Sequence, residues 1–335
     1  MEHNISLILG DGIGPEVISS VVEIIEATNL NINWEIVKAG ESSITTYGTP
    51  LPDYVLNSIK KNKVALKGPI TTPIGKGFRS VNVGLRQRLN LFANIRPIKS
   101  YPGVDGLHKN VDFIIVRENT EDLYAGIEHM IGEDAAESIK IITRKASERI
   151  CRYAFELAKK EGRKKVTLAH KANIMKLSDG LFLECGRKIS EEYKDIEFED
   201  IIIDAMCMKL VQSPSDYDII VAPNLYGDIL SDLSAGFIGG LGLAPGANIG
   251  EGIAVFEPVH GSAPDIAGKN IANPTSAILS GIMMLKHIGE LEAAIRIEKA
   301  LAFTLENKDS KTIDLGGNLG TKEFTEEIIK HLEVS

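Results

Sequence analysis

Short apolar runs alternate with segments of helical period along most of the chain. Residues 5–9 predict a buried strand, followed by the turn Gly10-Asp-Gly-Ile-Gly-Pro-Glu16 and a helix with Val17, Val21, Ile24 and Ile25 at helical spacing. Residues 32–37 and 63–66 predict two more strands, with a helix over 52–61 between them. Further apolar runs at 113–116, 166–169, 198–203, 218–222 and 253–256 predict strands. Helical periods cover 147–160, 178–192, 275–287, 291–305 and 321–332. Residues 124–144 alternate loosely and predict a hairpin that projects from the body, plausible as an arm into a neighbouring protomer. Strands alternating with helices define an α/β architecture. No repeat, low-complexity tract or flexible linker interrupts it, so a domain boundary must fall where strands or helices pass between domains.

Composition narrows the class. With 335 residues, 44 % apolar and 25 % charged, the chain can bury one large or two ordinary cores. A net charge of −9 argues against a general nucleic-acid binder, which needs a basic face. Cys151, Cys185 and Cys207 are too few and too widely spaced for a disulfide framework or a zinc site. They read as reduced thiols, and Met1-Glu-His-Asn4 lacks the basic start of a signal peptide, so a cytoplasmic location is expected. No apolar run approaches the ~20 residues of a membrane span.

The chemistry concentrates in residues 223–250. Asp228 and Asp232 stand one helical turn apart, in a setting of Leu, Ala, Phe and Gly. An isolated pair of this kind reads as a solvated face; among apolar and glycine-rich neighbours it reads as a site for a hard cation, Mg²⁺ or Mn²⁺. Arg86, Arg96 and Arg117 each lie near an apolar run, and their planar forks suit a small ligand with several carboxylates. Lys171 leaves the strand at 166–169, where partial desolvation would lower its pKa and make it a usable base. Asp204 adds a third carboxylate at a strand end. The loop at 67–79 is rich in hydroxyls and cations, and the loop at 257–274 combines small and polar residues suited to a large ligand. The glycines at 10–14 do not match Gly-x-Gly-x-x-Gly, and a tight strand-to-helix turn accounts for them. A phosphoryl-transfer enzyme would need a Gly-x-x-x-x-Gly-Lys-[Ser/Thr] loop, which is absent.

Three motifs, Arg117-Glu-Asn-Thr-Glu121, Asn224-Leu-Tyr-Gly-Asp-Ile-Leu-Ser-Asp232 and His260-Gly-Ser-Ala-Pro-Asp-Ile-Ala-Gly268, are the most specific in the chain. With pieces spread from Gly10 to Gly317, they make the whole sequence resemble the β-decarboxylating hydroxyacid dehydrogenases, the isocitrate/isopropylmalate dehydrogenase family, and within it the NAD-dependent isocitrate enzymes. The resemblance implies a two-domain α/β fold, not a Rossmann domain. The large domain would hold residues 1–99 and 251–335 with the NAD-binding loop; the small domain would hold 100–250 with the dimer-clasping hairpin and the metal-binding carboxylates. It also implies a homodimer or a multiple of dimers with shared active sites. Asp228 and Asp232 would bind the metal together with Asp204 of the neighbour. Arg86, Arg96 and Arg117 would grip carboxylates, and Tyr124 and the neighbour's Lys171 would handle protons.

Ser80 and Asn82 resemble the residues that meet the γ-carboxylate in isocitrate dehydrogenases; aliphatic residues would admit isopropylmalate instead. Thr71, Glu257, His260, Gly261, Ser262, Ala263, Asp265, Ile266 and Asn273 match cofactor-binding positions. An aspartate at 265 favours NAD⁺, because it would repel a 2′-phosphate; NADP-dependent relatives carry Lys-Tyr where this chain has Asp265-Ile266. The reaction implied is oxidative decarboxylation of isocitrate to 2-oxoglutarate. Homoisocitrate or 3-isopropylmalate dehydrogenase, or a non-catalytic regulatory role within the same family, are the alternatives.

Overall fold

In the structure, a computed structural model that describes residues 2–72 and 80–334, most of the apolar runs form strands with buried side chains, whereas β2 and β9 are only partly covered. The first part of the chain forms β1 (His3–Ile8), α1 (Gly14–Glu26), β2 (Ile32–Ile36), α2 (Glu41–Tyr47), α3 (Asp53–Asn62), β3 (Val64–Lys67) and α4 (Val81–Arg88). The middle forms β4 (Ala93–Lys99), β5 (Asp112–Glu118), the hairpin β6 (Glu128–Ile131) and β7 (Ala135–Ser138), α5 (Arg144–Lys160), β8 (Lys165–His170), α6 (Ser178–Ser190), β9 (Glu197–Ile202), α7 (Ile203–Gln212), β10 (Ile219–Ala222) and α8 (Asn224–Ala235). The last part forms β11 (Pro245–Ile249), β12 (Ala254–Pro258), α9 (Thr275–His287), α10 (Leu291–Glu306) and α11 (Thr321–Val334). Residues 73–79 of the hydroxyl- and cation-rich loop lie outside the described residues.

Two compact units emerge. The first comprises residues up to Leu89, residues 100–107 and residues from Ile238 on. Its strands run in the order β2-β1-β3-β12-β11, parallel except for β11, which returns antiparallel to β12. Near-continuous apolar runs such as Ile5, Leu7 and Ile8 suit strands covered on both faces. Helix α9 is buried on nearly all sides and packs on β11, β12, α1 and α10. The second unit comprises residues 90–99 and 108–237. Its strands run β4-β5-β10-β8-β9, with only β4 antiparallel to its neighbour. Helices α5 and α6 pack together against β8, and α5 also covers β5 and β10, while α8 packs on β4 and β5. These units place 90–99 with the middle of the chain and 238–250 with the first unit, where the sequence reading drew its lines at 99/100 and 250/251.

The glycines at 10–14 serve close approach. Gly12 has φ +58, and a Cβ there would lie 1.9 Å from the Ser262 carbonyl oxygen, which accepts a hydrogen bond from the Ile13 amide at 2.8 Å. The turn is shaped to receive the loop at 257–274.

Five segments differ from the sequence reading. Residues 81–88, for which the apolar pattern predicts no element, form α4, so Arg86 stands on a helix. The strand expected over 198–203 stops at Ile202, and Asp204 lies in the first turn of α7. Part of the glycine-rich run before Gly250 is β11, and α2 forms over Ser and Thr residues with no apolar period. The hairpin is shorter than 124–144, because Tyr124 sits in a 3₁₀ turn, Leu123–Ala125, that precedes it. All residues of β6 and β7 are exposed, and Ile127, Met130, Ile131 and Ile139 leave large apolar groups in solvent.

Candidate active site

In the second unit, four buried residues of β10 lead directly into α8, and the polar motif begins where the strand ends. Asn224, at the start of α8, is fully buried, and its Oδ1 accepts from Arg117 Nε at 2.9 Å and Nη2 at 2.7 Å. Arg117 Nη1 pairs with Asp228, and the Tyr124 hydroxyl donates to the other oxygen of the same carboxylate. The guanidinium also lies 5.0 Å from the Tyr124 ring centroid. Asp122, held at φ +72, accepts from the Leu225 amide at 2.9 Å and so fastens the Tyr124 turn to the first turn of α8. Arg96, mostly buried on β4, donates from Nε to Asn94 Oδ1 at 2.6 Å.

Electrostatics follow from these contacts. Burial pushes the Tyr124 hydroxyl above its ordinary pKa, and the Asp228 carboxylate adds to the effect. Asp232 is also raised, first by burial and then by the charge of Asp228 one turn away. Two carboxylates that repel each other in a half-buried setting fit a hard divalent cation, which would relieve both effects. Among the described residues, no group of three His, Cys, Asp or Glu side chains is placed to hold a metal, so Asp204 does not join Asp228 and Asp232 within one chain.

Asp204 is paired instead with Lys171. The hydrogen bond from Lys171 holds the Asp204 carboxyl below the usual carboxylate range. Lys171 is only partly exposed, and its ammonium is ion-paired. Its backbone amide donates to Asp179 Oδ2 at 2.6 Å, and Asp179 Oδ1 meets Lys140 at 2.6 Å at the base of the hairpin. Sequence reasoning passed over Asn224, Asn94 and Asp179. Asn224 was the most accessible of the three, as a polar residue directly after the apolar run of β10.

The Gly227 position tests how closely α8 approaches β5. A Cβ there would lie 2.6 Å from both Cβ and Cγ of Arg117. These atoms are near the backbone and cannot swing aside. Gly227→Ala is expected to destabilise the protein by about 1–3 kcal/mol by overpacking, read as a lower midpoint in denaturant unfolding; an unchanged midpoint would show that α8 can retreat freely.

In the first unit, Arg86 donates from Nε to Asn248 Oδ1 at 3.2 Å. Ser80 accepts from Thr72 Oγ1 at 3.4 Å, and Asn82 Oδ1 is buried without a partner among the described residues. Thr71 Oγ1 and Ser262 Oγ are 2.7 Å apart, while Asp11 accepts from the amides of Thr71 at 3.0 Å and Glu41 at 3.1 Å. Glu16 accepts from the amides of Gly268 at 3.2 Å and Asn270 at 3.1 Å, which anchors the far end of the loop on α1. His260 Nε2 is buried with no partner among the described residues, and burial lowers the ring's pKa, so its neutral form is favoured. An orphaned imidazole nitrogen in a loop with exposed Gly261 and Asp265, and partly exposed Ala263 and Ile266, fits a cofactor that brings its own polar groups. Asn273 is spent within the fold: Nδ2 donates to Asp314 at 3.0 Å and Oδ1 accepts from the Thr275 amide at 2.9 Å. Glu257 is buried and faces Lys67.

A model of the isocitrate/isopropylmalate dehydrogenase family matches residues 4–328. The chain belongs to this family. A Dictyostelium discoideum protein, named as a regulatory component of mitochondrial NAD isocitrate dehydrogenase, is 53 % identical over 99 % of this chain and 93 % of its own length. The Arabidopsis thaliana protein named as mitochondrial catalytic subunit 5 of NAD isocitrate dehydrogenase is 51 % identical, over 98 % of this chain and 88 % of its own. A crystal structure of isocitrate dehydrogenase from Methylococcus capsulatus superposes with a TM-score of 0.95 at 55 % identity, covering 98 % of this chain and 99 % of the other. The family's two-domain α/β fold, not a Rossmann domain, is therefore the fold of this chain. The cytoplasmic location expected from the N-terminal residues and cysteines is not upheld: both curated relatives are named as mitochondrial. Among the described residues, no helix is long and apolar enough to cross a membrane.

Proposed function

We propose that the chain oxidatively decarboxylates isocitrate to 2-oxoglutarate and CO₂, using NAD⁺ and Mg²⁺ or Mn²⁺. The observation that carries this reading is the convergence of Arg117 and Tyr124 on Asp228, one turn from Asp232: a carboxylate-binding cation, a proton donor and a cation-binding pair on one helix face. The relatives named as components of NAD isocitrate dehydrogenase support the substrate and cofactor.

Arg86, Arg96 and Arg117 bind substrate carboxylates, with Ser80 and Asn82 meeting the γ-carboxylate. Lys171 takes the proton of the C2 hydroxyl. The bond from C3 to its carboxylate breaks as CO₂ leaves, and Tyr124 returns a proton to C3. Burial and the Asp228 carboxylate favour the protonated hydroxyl, the form a donor must have. A divalent cation on Asp228 and Asp232, when bound, supplies an electrophile at the C2 oxygen. Thr71 and the loop from Glu257 to Asn273 would hold NAD⁺, which would supply the acceptor for the hydride of C2. Lys171 and Asp204 travel as a pair, and they complete the site of a second copy in a homodimer or a multiple of dimers. The exposed apolar hairpin is the arm that clasps that copy. On this reading the first unit is the NAD-bearing domain and the second the clasping, metal-binding domain.

The second reading is a regulatory role without turnover, favoured by the name of the Dictyostelium relative. Initial rates at 340 nm separate the two, with isocitrate, homoisocitrate and 3-isopropylmalate crossed against NAD⁺ and NADP⁺ in Mg²⁺ or Mn²⁺. A dominant isocitrate–NAD⁺ rate supports the proposal. A dominant rate with another acid removes the specificity assigned to Ser80 and Asn82. No rate with any pair favours the regulatory role. Asp265→Lys with Ile266→Tyr is expected to shift the NADP⁺-to-NAD⁺ ratio of kcat/KM upward by roughly 10–100-fold, the effect of one or two charge-assisted hydrogen bonds. An unchanged ratio would remove Asp265 as the determinant.

A further inference from the structure

Strands β11 and β12 form an antiparallel pair in which Asn248 faces Val255 and Gly246 faces Glu257. Asn248 and Glu257 are therefore diagonal neighbours on one face. Both are almost fully buried, as are Lys67 and Arg86. Asn248 Nδ2 donates to Glu257 Oε1 at 2.7 Å, and Asn248 Oδ1 accepts from Arg86 Nε at 3.2 Å. Lys67 Nζ lies 2.6 Å from Glu257 Oε2, whereas Arg86 Nη2 lies 3.6 Å from Oε1. The carboxylate is thus drawn toward the lysine, and the amide of Asn248 stands between it and the Nε edge of the arginine.

We infer that Asn248 and Glu257 are positioning residues for Arg86. Their network fixes the orientation of the guanidinium by its Nε edge while Lys67 keeps the Glu257 carboxylate from closing tightly on it. Direct pairing of Glu257 with Arg86 would neutralise the cation meant for a ligand carboxylate. Glu257 begins the cofactor loop and was expected from the sequence to touch the dinucleotide. Its carboxylate faces two cations and an amide, those of Lys67, Arg86 and Asn248. An asparagine suits the bridge because it is neutral and offers one donor and one acceptor end. The inference rests on the proposed role of Arg86 in binding a substrate carboxylate.

Glu257→Gln would leave a buried lysine beside a neutral group and can fail to fold for that reason, so the test is made at Asn248. Binding of Mn²⁺-isocitrate and of NAD⁺ is measured by titration calorimetry on wild type, Asn248→Ala and Asn248→Asp, with unfolding midpoints alongside. Asn248→Ala is expected to weaken isocitrate binding about 10-fold or more, the loss of two hydrogen bonds to charged groups, with NAD⁺ affinity unchanged. Asn248→Asp is expected to be at least as weak as the alanine variant, because it keeps the shape but sets a second carboxylate on Arg86. A role in packing alone predicts the reverse order, with the isosteric aspartate milder. Wild-type affinity in both variants, a parallel loss of isocitrate and NAD⁺ binding, or the reversed order would overturn the inference. Wild-type protein that binds isocitrate without turning it over would refute the catalytic reading alone, and the order of the two variants would still decide this one.

Discussion

Lys171→Met is expected to lower kcat by about 10²–10⁴-fold, the usual contribution of a positioned acid–base group, while NAD⁺ affinity and the unfolding midpoint stay near wild type. The separation is possible because the backbone of Lys171 is held independently of its ammonium. Its amide donates to the buried Asp179, which is in turn paired with Lys140. Methionine preserves the length of the side chain and most of its apolar contact. The partner carboxylate, Asp204, is exposed, so losing the ammonium strands no buried charge. Its carboxyl should then rise from its lowered pKa toward the ordinary value, since the hydrogen bond from Lys171 is the main cause of the shift. The experiment pairs steady-state rates with NAD⁺ titration and a carboxyl-resolved NMR titration. Retained turnover would remove Lys171 from the mechanism, whatever the titration shows.

Asp228→Asn should have the second large effect, and on two observables at once. It removes one of the carboxylates assigned to the metal and the charge that faces Arg117. Affinity for Mn²⁺ is expected to fall at least 10²-fold, with turnover falling in parallel, on the scale of losing a charged ligand from a carboxylate-built site. Stability should fall by roughly 1–3 kcal/mol, because Arg117 is buried and loses its anion. The figure stays below that of a fully buried pair because the Asp228 side chain is 37 % exposed. The Tyr124 hydroxyl should move down toward its ordinary pKa but remain above it, since burial, which stays, is the larger cause. Metal titration, denaturant unfolding and ultraviolet titration of tyrosine read the three effects separately. Unchanged Mn²⁺ affinity would exclude Asp228 from the metal site.

The sequence reading succeeded where one residue's period or one buried run governs the outcome. The alternation of strands and helices followed from apolar spacing, and Asp228 and Asp232 fell on one helix because the segment around them is helical in period and begins after a buried strand. It failed where composition hides the element. Ile201, Ile202 and Ile203 are β-branched and read as one strand, yet the chain turns after Ile202 and starts α7, which moves Asp204 from a strand end to a helix start. Val81, Val83 and Gly84 disfavour a helix locally, and α4 forms there nonetheless. Supporting residues were the least legible. Asn224, Asn248 and Asp179 act by meeting groups far away in the chain, and nothing in their immediate neighbours signals this. The resemblance to a family gave roles by position, but it did not show the internal partners that Glu257 and Asn273 meet.

The order of segments in the first unit also constrains how the chain is made. β3 has as its neighbour β12, with Val64 opposite Ala254 and Leu66 opposite Phe256. When β3 leaves the ribosome, its partner strand does not yet exist. The second unit, by contrast, draws its residues from one nearly continuous stretch, 90–237, and can complete its sheet first. The early strands β1, β2 and β3 must wait with an open, apolar edge until residues 254–258 arrive, a long-range closure that is slow and prone to misassembly. The N-terminal portion therefore waits longest with an unpaired edge during synthesis, and chains ending before Ala254 are expected to aggregate through it.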